Sequence, residues 1–441
     1  MKVTLLRVVR IVIRADSDPA RQVLFANLMH ARLPVRLANQ VHEQVAGTWA
    51  SVLLVSGYAL ASLLSIAPAR NQGARVVAVA RHANARRQVA RVTSWIGASE
   101  CASVRTGLKT LVRLAGLGGL TVLLPPRRLL RALRIVRAFD SRYPFLVSCR
   151  AIEAIAWYTR GKAMLEARRP GAVLVSGDSN PEEVAFVAAA RVLGIPQVFV
   201  SHAYPTPFSP PLEFSLSILE GEEAAQARRR KGPIKGEVLL AGLEGESAPL
   251  DPRRVERATP VIGIFPPKAL SWTTLAAIID DCRAHFRARQ IIIRWHPSML
   301  EAPRLGHRLT DLSGIVEYPG SASFPEIARQ CDWVIAADNS NVHLPLLKLG
   351  IPTVAVSNLG IYPKSRSDLY GFIEHGIVFP PIESIRDLRA DAFAEFFSDC
   401  WVSRFKQYDA SYLLPQGAIE DDVRRAIQRL LSSSPAKGAH G

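Results

Sequence analysis

The chain has 441 residues, of which 49% are hydrophobic and 21% charged, and its formal net charge is +17. This composition excludes a disordered chain, a disulfide-stapled miniprotein and a collagen-like fibre. At roughly 150 residues per domain, we expect two or three domains. The five cysteines are scattered without a CxxC pair, so neither a disulfide framework nor a zinc site is indicated, and a reducing cytosol is expected.

The N-terminal third carries the whole net charge. Residues 1–137 contain 21 Lys and Arg against four Asp and Glu, and eight basic residues and no acid lie between Arg105 and Arg137, interleaved with Leu, Val and Ile. Such a stretch is typical of a helix that binds an anionic membrane surface, and we predict that partner for residues 105–137. The alternative is an ordinary solvated basic face. Nucleic acid is not expected, because no zinc-finger, KH or RRM signature is present.

The first half of the chain alternates between predicted strands and helices. Residues 44–69 are uncharged and long enough to span a bilayer, but their Ser, Thr, Gly and Pro residues favour a soluble βαβ unit instead. The hydrophobic pattern predicts strands at 51–57, 74–80, 119–126, 171–178 and 195–203, and helices at 58–67, 127–139, 147–168 and 181–194. Residues 204–235, rich in proline and basic residues, break this pattern.

A second α/β unit is predicted after the break. Its expected strands are 236–242, 260–267, 289–297, 314–320, 332–338 and 351–357, and its helices are 270–286, 323–330 and 341–349. Strands that are apolar on both faces and alternate with helices indicate parallel sheets covered on both sides. We therefore predict two facing, doubly wound Rossmann-like domains at 1–235 and 236–400, followed by C-terminal helices and a disordered tail at 401–441.

The chemically interesting side chains fall at the ends of the predicted strands, where open α/β sheets bind ligands. In the first half these are Asp178 and His202, and in the second half they are Lys268, His296–Pro297 and Asp338–Asn341. No metal is expected, because the DxD spelling at 16–18 is better explained as a helix cap. Dinucleotide binding is disfavoured, because the loop SGDSN has one glycine where the fingerprint needs three.

Three segments resemble a known family. The stretches SGDSNPEEVAFVAAARVLGIPQVFVSHA, IIIRWHPSM and AADNSNVHLPLLKLGIPTVAV are similar, in this order, to motifs of bacterial capsule and surface-polysaccharide transferases. These include the CDP-glycerol glycerophosphotransferases, the polysialyltransferases and the Kdo-type capsule transferases. The resemblance covers about residues 170–360 and implies the GT-B fold, without a bound metal or other cofactor.

The resemblance also implies a donor site. In the family, the histidine of the His-Pro motif contacts the donor phosphate, which gives this role to His296, with Pro297 fixing the turn. Arg294 and Lys268 are candidate auxiliary cations. Ser340 and Asn341 stand where the family has a serine pair, and they would open a helix whose free N–H groups face the same phosphate. The alternatives are a strand-end histidine with a capping role and simple N-capping by Asn339 or Ser340.

The acceptor hydroxyl needs a general base, and two residues are candidates. Asp178 is slightly preferred over His202, and Glu182 or Glu183 could substitute, although both are better explained by the helix dipole. Asp178 could instead cap the helix at 181, and His202 could be a buried, hydrogen-bonded histidine.

These observations predict a glycosyltransferase that moves a sugar unit from a nucleotide-activated donor to a surface-polysaccharide or lipid-linked acceptor. CMP and CDP donors are favoured only because the resembling families use them. We expect it in the cytoplasm, peripheral on the inner face of the cytoplasmic membrane. Two alternatives stay open, namely a sugar-nucleotide epimerase of the same fold and a non-catalytic membrane-surface component of a polysaccharide assembly complex.

Overall fold

Two six-stranded parallel sheets, each with helices on both faces, form the core of the protein. The computed structural model describes residues 66–67, 73–80, 83–106, 157–158, 160–178, 181–202, 204–205, 209–242, 248–297, 313–361, 368, 370–412 and 416–433. The sheets confirm the predicted α/β class of two Rossmann-like, doubly wound units, which is the GT-B architecture. The strands predicted at 51–57 and 119–126, the helix at 127–139 and nearly all of the basic stretch at 105–137 lie outside the described residues.

The first sheet has the strand order β3-β2-β5-β6-β7-β8. A separate antiparallel pair is formed by β1 and β4. These strands are β1 (Ile66–Ala67), β2 (Val76–Val79), β3 (Cys101–Ser103), β4 (Arg105–Thr106), β5 (Ala172–Val175), β6 (Gln197–Val200), β7 (Glu213–Leu219) and β8 (Lys235–Leu240). The helices of this half are α1 (Ala83–Ile96), residues 160–168, α2 (Pro181–Val192) and α3 (Glu222–Arg229).

Both faces of the first sheet are buried at β2 and β5, which are apolar at every position. Val77 and Val173 point to one face and pack with α2, whereas Val76 and Leu174 point to the other and pack with α1. Successive strand residues alternate between faces, so an uninterrupted apolar strand fits only a sheet covered on both sides.

The second sheet has the order β11-β10-β9-β12-β13-β14. Its strands are β9 (Val261–Phe265), β10 (Gln290–Arg294), β11 (Ile315–Tyr318), β12 (Trp333–Ala337), β13 (Thr353–Val356) and β14 (Phe379–Ile382). The remaining helices are α4 (Trp272–Ala284), α5 (Phe324–Ala328), α6 (His343–Lys348), α7 (Ala390–Phe396), α8 (Asp399–Tyr408) and α9 (Gln416–Ser433). The chain returns to the first sheet at its end, because α9 packs with α1 on that sheet while α8 packs in the second core.

Three sequence predictions need correction. The predicted strand at 236–242 exists as β8, but its assignment to the second unit is wrong, because it pairs with β7 as the exposed edge strand of the first sheet. The break at 204–235 contains β7 and α3, which the prolines and the basic run obscured. The helix predicted at 58–67 does not reach its expected end, since Ile66 and Ala67 form β1.

The two halves of the chain contact each other through loops at the carboxyl ends of their strands. Tyr204, just after β6, donates a hydrogen bond to His375, which lies between β13 and β14. This contact places the two carboxyl edges on the same side of the molecule. Among the helices that the structure describes, none is both long and apolar enough to span a bilayer.

Candidate functional site

The carboxyl edge of the second sheet collects the residues predicted for the donor side. Here β9 pairs with both β10 and β12, so the strand order reverses at β9, the position at which open α/β sheets form a ligand-binding crevice. Lys268 follows β9, His296 follows β10, and Ser340 follows β12. The structure therefore places three separate predicted segments at this one edge of the sheet.

His296 is half-buried at this edge. Burial lowers its pKa below the ordinary value, and the positive charges of Lys268 and Arg294 lower it further. The ring is therefore uncharged near neutral pH, and it presents an N–H donor in a positive field. An anion bound in the crevice would be favoured by this field and would oppose the downward shift in the histidine's pKa.

The two predicted auxiliary cations differ in what they do. Lys268 is exposed and faces solvent at the crevice. The Arg294 side chain is buried, donates to the carbonyl oxygens of Gly320 and Ala322 at 3.1 Å each, and lies 5.4 Å from the ring centre of Phe324. Arg294 thus links β10 to the loop before α5 and adds its positive charge from a buried position. The exposed Lys268 can instead reach a ligand from solvent.

The turn that carries His296 and Pro297 is fixed by a close backbone approach. A Cβ at Gly320 would lie 2.5 Å from the His296 carbonyl oxygen and 2.6 Å from the Pro297 Cα, closer than real Cβ atoms approach. Only glycine leaves room for the two loops to touch here. Pro297 itself is exposed, so it shapes the turn and packs little.

Ser340 and Asn341 lie half-buried in the loop that leads into α6. The Ser340 amide donates to the Ala337 carbonyl at 3.0 Å, and its hydroxyl oxygen accepts from the Val342 amide at 3.4 Å. The loop is therefore a tight turn that Ser340 stabilises from within.

His343, for which no role was predicted from the sequence, connects the start of α6 to the underlying sheet. It is fully buried, its Nε2–H donates to the Ala337 carbonyl at 2.9 Å, and its Nδ1 accepts from the Thr353 hydroxyl at 3.0 Å. Burial lowers the pKa of His343 to about 4. The neutral ring thus joins α6 to β12 and β13.

Asp178 ends the loop after β5, where it is ion-paired. Its Oδ2 lies 2.5 Å from Nη1 of Arg228 in α3, and both side chains are largely buried. The same Nη1 donates to the Pro210 carbonyl at 3.0 Å. Arg228 lies in the proline-rich and basic break at 204–235, and nothing in the local sequence indicates its pairing with Asp178, 50 positions earlier.

His202, after β6, has a defined hydrogen-bonding state. Its Nδ1–H donates to the Ser176 carbonyl oxygen at 2.6 Å, and the Ser176 hydroxyl lies 3.3 Å from the same nitrogen. Because Nδ1 carries the proton, Nε2 holds the lone pair of the neutral ring. The residue is half-buried, so the ring is held at the edge of the sheet by β5.

Buried carboxylates surround these residues on the first sheet. Glu182 and Glu183 occupy the first turn of α2 and are both buried. Glu220, which follows β7, is fully buried and accepts from the Ser201 hydroxyl at 2.5 Å. Burial raises the pKa of Glu220 to about 7. Glu220 is hard to predict as a strand-end residue because β7, which precedes it, carries polar side chains and resembles a loop.

Within the ranges that the structure describes, no group of three or more His, Cys, Asp or Glu side chains is placed to hold a metal ion.

Several solved structures are similar to this chain in fold. No protein-family profile matches the sequence, and no curated protein matches it either. The S. aureus MnaA–UDP co-structure is 12% identical, covers 83% of this chain and 100% of its own, and has a TM-score of 0.48. The UDP-GlcNAc 2-epimerase from Neisseria meningitidis bound to UDP-GlcNAc is 11% identical, with 80% and 99% covered and a TM-score of 0.45. Acinetobacter baumannii MurG is 12% identical, with 82% and 99% covered and a TM-score of 0.43. What this chain does has to be argued from its own residues.

Proposed function

We propose that the protein is a metal-independent GT-B glycosyltransferase that moves a sugar unit from a nucleotide-activated donor to a surface-polysaccharide or lipid-linked acceptor. The observation that carries the proposal is the chemistry of the two carboxyl edges. One edge presents an uncharged histidine among cations, and the other presents a histidine whose Nδ1–H is bonded to a backbone carbonyl, which leaves the lone pair of the neutral ring on Nε2. The first suits a departing phosphate, and the second suits a hydroxyl that must lose its proton.

On the donor side, the nucleotide phosphate gains negative charge as its bond to the sugar breaks. The N–H of His296 and the ammonium group of Lys268 would stabilise this charge, and the loop at Ser340 and Asn341 would close the crevice around it. Arg294 contributes through its positive field while holding the neighbouring loop. In this proposal Pro297 and Gly320 fix the turn that presents His296.

On the acceptor side, His202 is a better general base than Asp178. The Nε2 lone pair of His202 can take the proton of the acceptor hydroxyl as the oxygen attacks the anomeric carbon, and Nδ1–H stays bonded to Ser176. Asp178 is already ion-paired with the buried Arg228 at 2.5 Å. The geometry therefore favours the reverse of the preference that the sequence alone indicated.

A second candidate function, a sugar-nucleotide epimerase, is favoured by a specific observation. Four largely buried carboxylates, Asp178, Glu182, Glu183 and Glu220, gather at the carboxyl edge of the first sheet. Acid and base groups in pairs are what the inversion of a sugar carbon requires.

We propose that the protein is localised at the inner face of the cytoplasmic membrane, where residues 105–137 would bind anionic lipid. The support is the concentration of the entire net charge in residues 1–137. A scaffold role without catalysis would use the same surface and would need neither His202 nor His296.

The first test is a thermal-shift panel of the purified protein against CMP, CDP, UDP and GDP, since a ligand that binds only the folded state raises its apparent stability. We expect one nucleotide to stabilise the wild type, and His296→Ala to lose that stabilisation. His285→Ala is the matched control, because His285 is an exposed histidine at the end of α4 in the same half of the chain. The absence of any shift, or an equal shift in His296→Ala, would contradict the donor site.

The second test separates transfer from epimerisation. The protein is incubated in D₂O with the stabilising nucleotide's sugar conjugates, with and without an oligosaccharide acceptor. A transferase releases nucleotide only when acceptor is present and leaves the remaining donor undeuterated. An epimerase that breaks a C–H bond returns nucleotide sugar carrying solvent deuterium without any acceptor.

A further inference from the structure

Three side chains form a continuous series of polar contacts between the two halves of the molecule. The Tyr204 hydroxyl donates to His375 Nε2 at 2.6 Å, and His375 Nδ1 lies 3.2 Å from Glu223 Oε2. The carboxylate can only accept, so a neutral His375 ring has its proton on Nδ1, towards Glu223, and its Nε2 accepts from the tyrosine hydroxyl. We call these three residues the interdomain relay.

The relay joins elements that carry the proposed chemistry. Tyr204 lies two residues after His202, on the segment that leaves β6. Glu223 lies in the first turn of α3, the helix that also supplies Arg228. His375 belongs to the other half, on the segment between β13 and β14. A change in how the two halves meet would therefore act on the segment that holds His202.

The surroundings of the relay hold His375 in place. The turn before it is closed by the Asp368 carboxylate, which accepts from the amides of Ile373 at 3.0 Å and Glu374 at 2.8 Å. Gly371 adopts φ +67°, and a Cβ there would lie 3.0 Å from His375 Cδ2 and 3.2 Å from Tyr204 Cε1. Glycine thus leaves the space in which the two rings meet.

Tyr204 is suited to a fixed structural contact and not to chemistry on a substrate. Its side chain is 7% exposed, and its ring stacks on that of Tyr408 with centroids 5.2 Å apart. Burial raises the pKa of Tyr204 to about 12, so the hydroxyl keeps its proton and remains a donor to His375. Arg230 also lies close enough to interact with this hydroxyl.

We propose that His375 is a positioning residue, which holds the His202 segment through Tyr204 when the two halves are in the observed arrangement. This inference rests on the proposed function for the role of His202. It assigns to the donor-side half a contact with the segment that carries the base on the acceptor side.

Hydrogen–deuterium exchange of the full-length protein tests the relay without any substrate. In His375→Ala we expect the backbone amides of Ser201, His202 and Tyr204 to exchange about tenfold faster than in the wild type. Tyr204→Phe should have the same effect, and Glu223→Gln a smaller one. His375→Gln should restore part of the protection, since its amide oxygen can accept from the Tyr204 hydroxyl.

The matched control is Tyr408→Phe, which removes a tyrosine hydroxyl from the same aromatic stack. That hydroxyl donates to the Tyr370 carbonyl at 2.9 Å, on the His375 side of the contact, and takes no part in the relay. Unchanged exchange at the three amides in His375→Ala, or an equal increase in Tyr408→Phe, would overturn the proposal. Glu223→Gln, on the more accessible end, keeps the test valid if His375→Ala fails to fold.

Steady-state kinetics distinguish a failure of this inference from a failure of the proposed function. With an active nucleotide-sugar donor, His375→Ala should lower kcat about tenfold and leave the KM for the donor unchanged, because the donor residues are untouched. A change in KM alone would contradict the positioning role. If the wild type turns over no nucleotide sugar at all, the proposed function fails, and the exchange result still decides whether His375 holds the His202 segment.

Discussion

His202 and Asp178 lie on neighbouring strand ends, yet their substitutions should fail in different ways. His202→Ala removes the Nε2 lone pair, and we expect kcat to fall by roughly 10²- to 10⁴-fold with little change in stability, the usual range for a lost general base. Asp178→Asn leaves the buried Arg228 without its charged partner, which costs about 3 kcal/mol of the free energy of unfolding. Steady-state kinetics and urea unfolding of both variants give the comparison. The assignment of the base is reversed if Asp178→Asn loses turnover while staying fully stable and His202→Ala does not.

Some residues of the proposed site could be predicted from the sequence. Asp178, His202, Lys268 and His296 follow apolar runs, and the ends of parallel strands meet at one edge, so their grouping could be predicted. The pairing of Asp178 with Arg228 could not, because it depends on a contact across 50 residues. The hydrogen bond that fixes the tautomer of His202 could not be predicted either, because a backbone carbonyl accepts it.

At the scale of elements, apolar strands are easy to predict, whereas strands with polar side chains are not. β2 and β5 are apolar at every position, and both were expected. β7 carries Glu213, Ser215 and Ser217 and follows a proline-rich segment, so its sequence resembles a loop. The sheet to which β8 belongs follows from its pairing with β7. An error in β7 therefore also misplaced β8 and hid Glu220.

Two buried groups that fix elements should give the stability opposite dependences on pH. His343 joins α6 to β12, and its pKa of about 4 in the folded state lies below the ordinary 6.5. As the pH falls from 6.5 towards 4, the unfolded chain gains this proton and the folded chain does not, so stability falls. Glu220, with its pKa raised from 4.5 to about 7, is protonated first in the folded state, so stability rises as the pH falls from 7 to 4.5.

The two contributions can be separated with variants. Glu220→Gln keeps only the His343 effect, and we expect its free energy of unfolding to fall with decreasing pH relative to wild type, by up to about 1.4 kcal/mol per pH unit. His343→Gln keeps only the Glu220 effect, and its stability relative to wild type should rise over the same range. Urea unfolding at pH values from 4.5 to 7.5 measures both. Curves parallel to that of the wild type would show that neither side chain titrates as described.

The net charge is concentrated in the N-terminal third of the molecule, and this asymmetry predicts binding to an anionic membrane surface. Residues 1–137 carry the net charge of +17, and the rest of the chain is balanced. Each basic residue near an anionic bilayer contributes about 1 kcal/mol at low salt, and this attraction is screened within a Debye length. We therefore expect the full-length protein to co-sediment with vesicles containing phosphatidylglycerol and to be released as the salt concentration rises.

The controls change either the lipid composition of the vesicle or the charge on one surface of the protein, but never both together. Vesicles of phosphatidylcholine alone should retain little protein, because they lack the anionic charge. Replacing Arg127, Arg128, Arg131 and Arg134 by Gln in the basic stretch should weaken binding to anionic vesicles. Replacing four exposed arginines of the balanced half, Arg253, Arg257, Arg386 and Arg389, should have a smaller effect. Equal binding to neutral vesicles, or equal losses in the two variants, would remove the membrane from the proposed function and leave an acceptor that reaches the site from solution.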